Sequence, residues 1–82
     1  MENIYVIVDT KSDRFYQGEK EYIPWIVYAF TFDLRDAVWY DNKEQATSDI
    51  AQFEETKTEF DGNTPLEKRR LVVKQITLTP VE

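Results

Sequence analysis

The chain contains neither histidine nor cysteine. Without histidine it lacks the most common general base and metal ligand of proteins, and a Ser-His-Asp triad is excluded. Without cysteine there is no disulfide, no thiolate nucleophile and no thiolate metal site, a composition that fits a reducing cytoplasm. The glycine patterns that cradle phosphates, the P-loop and G-x-G-x-x-G, are absent. No run is apolar enough to span a bilayer, and Met1-Glu2-Asn3 does not begin a signal peptide, so no membrane is expected. A basic field is missing as well. The 16 acidic and 10 basic residues leave a net charge of −6. The excess is even along the chain: 7 acidic against 4 basic over residues 1–40, and 9 against 6 over residues 41–82. Nucleic-acid binders show the opposite sign, so no nucleic acid is expected, and any charged partner should be positive. There are no repeats or linkers, and residues 1–82 read as one domain.

Aromatic residues are abundant. Ten of the 12 lie before residue 41. A core of this size holds about half of them, which leaves the rest for the surface, and aromatic side chains are enriched at interfaces. Ile4-Tyr5-Val6-Ile7-Val8 is apolar on both faces and reads as a central strand. Asp9 to Asp13 is a polar turn, and Phe15-Tyr16-Gln17 returns as the second strand of a hairpin. Gly18-Glu19-Lys20-Glu21 reads as a charged turn. Tyr22 to Phe32 is the most apolar segment, with Pro24 marking the start of its strand as an edge. From Trp25 onward neither face is polar, so both should be covered, one of them by a helix.

Phe32 to Phe60 organises the rest. Asp33 to Ala37 reads as one helical turn capped by Thr31 or Asp33, and Val38-Trp39-Tyr40 as a short strand. Asn42 is a good N-cap for a long helix, with Gln45 at the capping-box position. Ala46, Ile50, Phe53, Lys57 and Phe60 then fall on one helical stripe, and Gly62 in Asp61-Gly62-Asn63 is the natural stop. Thr64-Pro65-Leu66-Glu67 is a second capping box, predicting one turn over 65–69. Leu71 to Thr79 is the last strand, expected beside residues 4–8 as a second central strand. The class is therefore α+β: an antiparallel sheet of four to five strands with one long amphipathic helix (42–61) packed on one face, in the order β-β-β-β-α-β.

Clusters that could carry chemistry also have plainer explanations. Asp9, Ser12 and Asp13 lack the glycine and distal glutamate of a calcium loop and read as a hairpin turn. Asp33, Asp36 and Asp41 could form an acid/base pair, but the first reads as a cap and the third flanks a helix start. Lys68-Arg69-Arg70 is the only basic cluster and suits the C-terminal end of a short helix. No catalytic residue, cofactor or metal is expected, and the reading is of a protein that is not an enzyme. Tyr22, Trp25, Tyr28, Trp39 and Tyr40 are the candidate contact surface for a protein partner, a second copy of the chain included. A runner-up reading gives the acidic helix face, Glu44, Glu55 and Glu59, to an inhibitor that imitates the nucleic-acid backbone and blocks a host or defence enzyme.

The run Phe32 to Tyr40 followed by Asn42-Lys43-Glu44-Gln45-Ala46 resembles a pattern in small uncharacterised proteins of phages and prophages of Gram-positive bacteria. There an opening strand like Tyr5-Val6-Ile7-Val8 leads to a D-L-x-x-A turn, an aromatic strand, a K-E-x-A helix start and a closing strand like Leu71 to Leu78. The aromatic stretch Tyr22 to Phe30 departs from that pattern. The resemblance implies a phage or prophage origin, a host-cytoplasmic location and a role as accessory protein or modulator of host proteins. It brings no catalytic residue.

Overall fold

A computed structural model describes residues 2–22, 25–53 and 67–78. Among these residues four strands make one antiparallel sheet: β1 (Glu2–Asp9), β2 (Arg14–Tyr22), β3 (Trp25–Thr31) and β4 (Leu71–Leu78), in the order β3-β2-β1-β4. One helix, α1 (Lys43–Gln52), packs on the sheet. The molecule is α+β, as the sequence predicts.

β1 is apolar on both faces, and the structure makes it central. β4 pairs with it without a break, from Glu2↔Leu78 to Asp9↔Leu71. β4 is thus beside β1 as expected, but among the described strands it lies at the edge and is not central. The β1–β2 turn closes through Asp13, whose φ of 61° is left-handed and whose amide donates to the Asp9 carbonyl at 2.7 Å. Aspartate is among the residues that tolerate this conformation.

Gly18 to Glu21 is not a turn. It continues β2, and the register slips between Tyr16 and Gly18 as a β-bulge. Gly18 has a φ of 108°, and that angle, more than lack of room, calls for glycine. The bulge lies beside a split in the sheet. β1 and β2 pair only at Val8↔Phe15 and Asp9↔Arg14. Beyond that the chain at 38–40 enters between them. The Val38 amide donates to the Tyr16 carbonyl, and Tyr40 and Tyr5 exchange both backbone bonds, all at 2.9 Å. The expected strand Val38-Trp39-Tyr40 is therefore a single bridge. It is a wedge between β1 and β2, bonded once to Tyr16 and twice to Tyr5.

The two faces of the sheet differ. Under α1 lie Ile7, Tyr16, Tyr28 and Leu71, packed with Tyr40, Ala46 and Phe53. On the other face Ile4, Val6 and Val8 pack with Phe15, Ile76 and Leu78 under Leu34 and Ala37 of the 3-10 turn Leu34–Asp36. Asp33 caps that turn, accepting from the Arg35 amide at 2.9 Å.

Asn42 caps α1 by accepting from the Gln45 amide at 2.7 Å. Ala46 and Phe53 are buried and Ile50 half-buried on the stripe that faces the sheet. The helix is shorter than its sequence pattern: it ends at Gln52, and Phe53 is its C-cap with extended backbone (φ −63°, ψ 138°). The expected positions Lys57, Phe60 and Asp61-Gly62-Asn63, and the capping box from Thr64 to Leu66, lie outside the described residues. The turn before β4 is a 3-10 turn over Lys68–Arg70.

Candidate functional site

Among the described residues the most buried ionisable group is Asp9, 1% exposed at the end of β1. Arg70 grips its carboxylate with two nitrogens, Nε at 2.9 Å and Nη2. Ser12 Oγ donates to it at 2.8 Å and the Lys11 amide at 3.1 Å. Burial alone would raise the Asp9 pKa, but the bonds from Arg70, Ser12 and Lys11 outweigh it and hold the group at about 2. Both oxygens are taken, so the loop from Asp9 to Asp13 is a hairpin turn locked to the start of β4. Thr10 adds to the lock: its amide and hydroxyl both donate to the Arg70 carbonyl, at 2.8 and 2.9 Å.

The basic cluster is spent on structure in the same way. Lys68 Nζ donates to the Ala51 carbonyl at 2.9 Å, in the last turn of α1, where cations are favoured. Arg69 pairs with Glu67 at 3.2 Å on the surface. Of the three clustered aspartates, Asp33 is held by Arg35, whose side chain binds it at 2.8 and 3.1 Å and lowers its pKa. Asp36 and Asp41 are exposed. Among the described residues no group of three or more carboxylates, histidines or cysteines could hold a metal ion.

The structure divides the candidate aromatic surface. Tyr28 is 2% exposed and Tyr40 5%. Both are core residues and not contact residues. Tyr28 packs on Phe53 at 4.7 Å between ring centres and on Tyr16 at 6.2 Å. The Tyr40 hydroxyl donates to Asp49 Oδ2 at 2.7 Å, and burial together with that carboxylate raises its pKa. The side chains of Tyr22 and Trp25 lie outside what the structure describes. Of the candidates whose side chains are described, Trp39 stays on the surface, 47% exposed. Its indole N–H donates to the Leu34 carbonyl at 2.9 Å, which fixes the ring while leaving it open.

The sequence pattern counts Phe32 with a covered face, yet it is the most exposed large apolar residue among those described, at 74%. Alternation along β3 puts Phe32 with the covered Tyr28 and Phe30. β3 ends at Thr31, however, and the Thr31 hydroxyl accepts from the Asp33 amide at 3.0 Å, turning the chain away. The Asx-type cap at Asp33 was the available signal. Phe32 and Trp39 thus flank the 3-10 turn. Tyr40 packs under α1, whereas the ring of Trp39, the residue before it, is tied to Leu34 of the 3-10 turn that covers the opposite face.

On α1, Glu44 is exposed as expected, beside Lys43, Thr47, Ser48 and Ala51 along a shallow cleft of about 500 Å³. Lys43 makes that surface mixed in charge. Glu55 and Glu59 lie outside the described residues. Among the described residues no helix is long and apolar enough to cross a membrane. No family model matches the chain, and neither the curated proteins nor the solved structures contain a significant match.

Proposed function

We propose that this chain is a binding protein, not a catalyst: a phage- or prophage-derived accessory protein that acts in the host cytoplasm by docking on another protein. The observation that carries the reading is the pair Phe32 and Trp39. Both are large, exposed rings on one short connection, and the Trp39 indole is already tied to the Leu34 carbonyl. A ring ordered before binding loses little side-chain freedom on binding, and this is how aromatic anchors of interfaces work. Neither ring is needed to fill the core. The origin rests on the resemblance of the Phe32–Ala46 pattern.

The test is capture from a bacterial host extract by the immobilised chain, wild type against Phe32→Ser with Trp39→Ser. A partner held by the wild type and lost by the folded double variant supports the reading. Equal capture by both refutes it. Salt separates it from the acidic-face alternative. Apolar docking should survive about 1 M salt, where the Debye length shrinks to about 3 Å, whereas a partner held by carboxylates should be released.

A further inference from the structure

β4 carries a second, different surface: the outer edge of the sheet, with which no described strand pairs. The hydrogen-bond pattern shows which of its backbone groups face outward. Tyr5 exchanges both its backbone bonds with Tyr40, on the side of β1 away from β4. Its partner in β4 is Gln75. The Tyr5↔Gln75 pair is therefore of the non-hydrogen-bonded kind, and the N–H and C=O of Gln75 point away from β1. The other end of the ladder agrees. Arg70 accepts from the Thr10 amide, so the even-numbered residues of this run bond inward. Val73, Gln75 and Thr77 are left with both backbone groups aimed at the open edge.

Proteins blunt such edges with charges, prolines, bulges or short strands. β4 uses little of this. Its ladder runs unbroken from Leu71 to Leu78, its only charge is Lys74, and it has no carboxylate. Val72, Lys74, Gln75 and Thr77 are exposed. The opposite edge, β3, is less regular, because its ladder with β2 carries the Gly18 bulge. On a chain of net charge −6, β4 is an edge where two copies can meet without bringing carboxylates together.

We infer that β4 pairs with β4 of a second copy of this chain, antiparallel about a twofold axis at Gln75, giving one continuous sheet across the dimer. Antiparallel pairing about a twofold axis normal to the sheet keeps each side chain on its own face. The residues that meet must then have the same parity. Centred on Gln75, Gln75 exchanges both backbone bonds with its own copy, and Val73 does so with Thr77 of the second copy. Val72 then faces Leu78 of the second copy on the aliphatic face, and Lys74 faces Ile76. Shifting the axis to Lys74 would set the two ammonium groups directly opposite each other, which is unfavourable. A contact of one strand pair is small against the ~1,600 Å² of standard interfaces, so the dimer should be weak and concentration-dependent. The inference rests on the reading of the chain as a binding protein but uses a different surface from Phe32 and Trp39.

The experiment is light scattering across a micromolar to millimolar series, together with amide hydrogen exchange. The wild-type mass should climb from the 9.8 kDa of one chain towards twice that value. The Val73, Gln75 and Thr77 amides should gain protection with concentration, while Val72, Lys74 and Ile76 stay protected throughout. Gln75→Pro removes an outward N–H, spares the ladder to β1, and should hold the chain at the monomer mass. If that variant does not fold, Gln75→Lys decides: it sets like charges on the axis and should weaken the dimer about two- to fivefold. A wild type that stays at 9.8 kDa, or a dimer indifferent to the folded Gln75 variants, overturns the inference. In either case, capture that depends on Phe32 and Trp39 leaves the binding reading standing. Loss of that capture alongside an intact β4 dimer would separate the two the other way.

Discussion

The two faces of the sheet are stabilised by different chemistry. The face under α1 is aromatic. Tyr16, Tyr28 and Phe53 meet at tilted angles with ring centres 4.7 to 6.2 Å apart, and Phe30 packs on Tyr16 edge-on at 5.9 Å. The opposite face is mainly aliphatic: Ile4, Val6 and Val8 pack with Ile76, Leu78 and one ring, Phe15, under one 3-10 turn. Rings have directional preferences and some carry hydroxyls that need partners, so the first face fixes a geometry. Aliphatic side chains only need to be dry. The comparison shows why the helix start and the Tyr40–Asp49 bond belong to one face, while the exposed rings Phe32 and Trp39 flank the thin cover of the other.

The largest effect should come from the aromatic face. Phe53→Ala removes the ring between Tyr16 and Tyr28 and should cost about 3–5 kcal/mol in urea unfolding. Val6→Ala on the aliphatic face should cost about 2 kcal/mol, because fewer atoms are lost. Equal losses would erase the distinction.

Next is the Asp9–Arg70 lock, which serves the end of the aromatic face. The pKa of Asp9 is depressed from its ordinary 3.8 to about 2, so the folded state holds this proton less tightly than the unfolded chain. Its contribution is full above pH 4 and is lost as pH falls from about 4 through 2. Linkage puts it at roughly 2–3 kcal/mol. Unfolding measured at pH 7 and near pH 2 should show that loss, and Asp9→Asn should remove this part of the pH dependence while lowering stability at pH 7.

A smaller effect is expected from Tyr40→Phe, which takes the hydroxyl from Asp49 and should cost about 1.5 kcal/mol. A thermal melt of the two proteins checks it. The smallest effect is expected from Phe32→Ser, which should leave stability within about 0.5 kcal/mol, since the ring is mostly in water. A larger loss would mean that Phe32 covers the core and is not free for a partner.

Local chemistry was legible where neighbouring residues in the chain decide the outcome. Asn42 caps α1 through the Gln45 amide, Asp33 caps the 3-10 turn, and Ala46, Ile50 and Phe53 share the stripe that faces the sheet, all as the spacing indicates. Where distant segments compete, the pattern misled. The stripe continues in sequence to Phe60, yet α1 stops at Gln52: Phe53 has extended backbone, and its ring packs on Tyr16 and Tyr28. Gly18 looks like a turn residue and is a bulge, since β2 and β3 go on pairing past it. Tyr28 and Tyr40 look like surplus aromatics for a surface and are core.

The sequence by itself determined the α+β class, the caps, the hairpin at Asp9 to Asp13 and the acidic, histidine-free chemistry, because these depend on composition and on contacts within a few residues. Only the tertiary structure decided that β4 lies at an edge, that the wedge at Val38 to Tyr40 splits β1 from β2, and that Asp9 finds Arg70 61 positions away. Those pairings depend on which strands have room for another partner, and no local pattern encodes that.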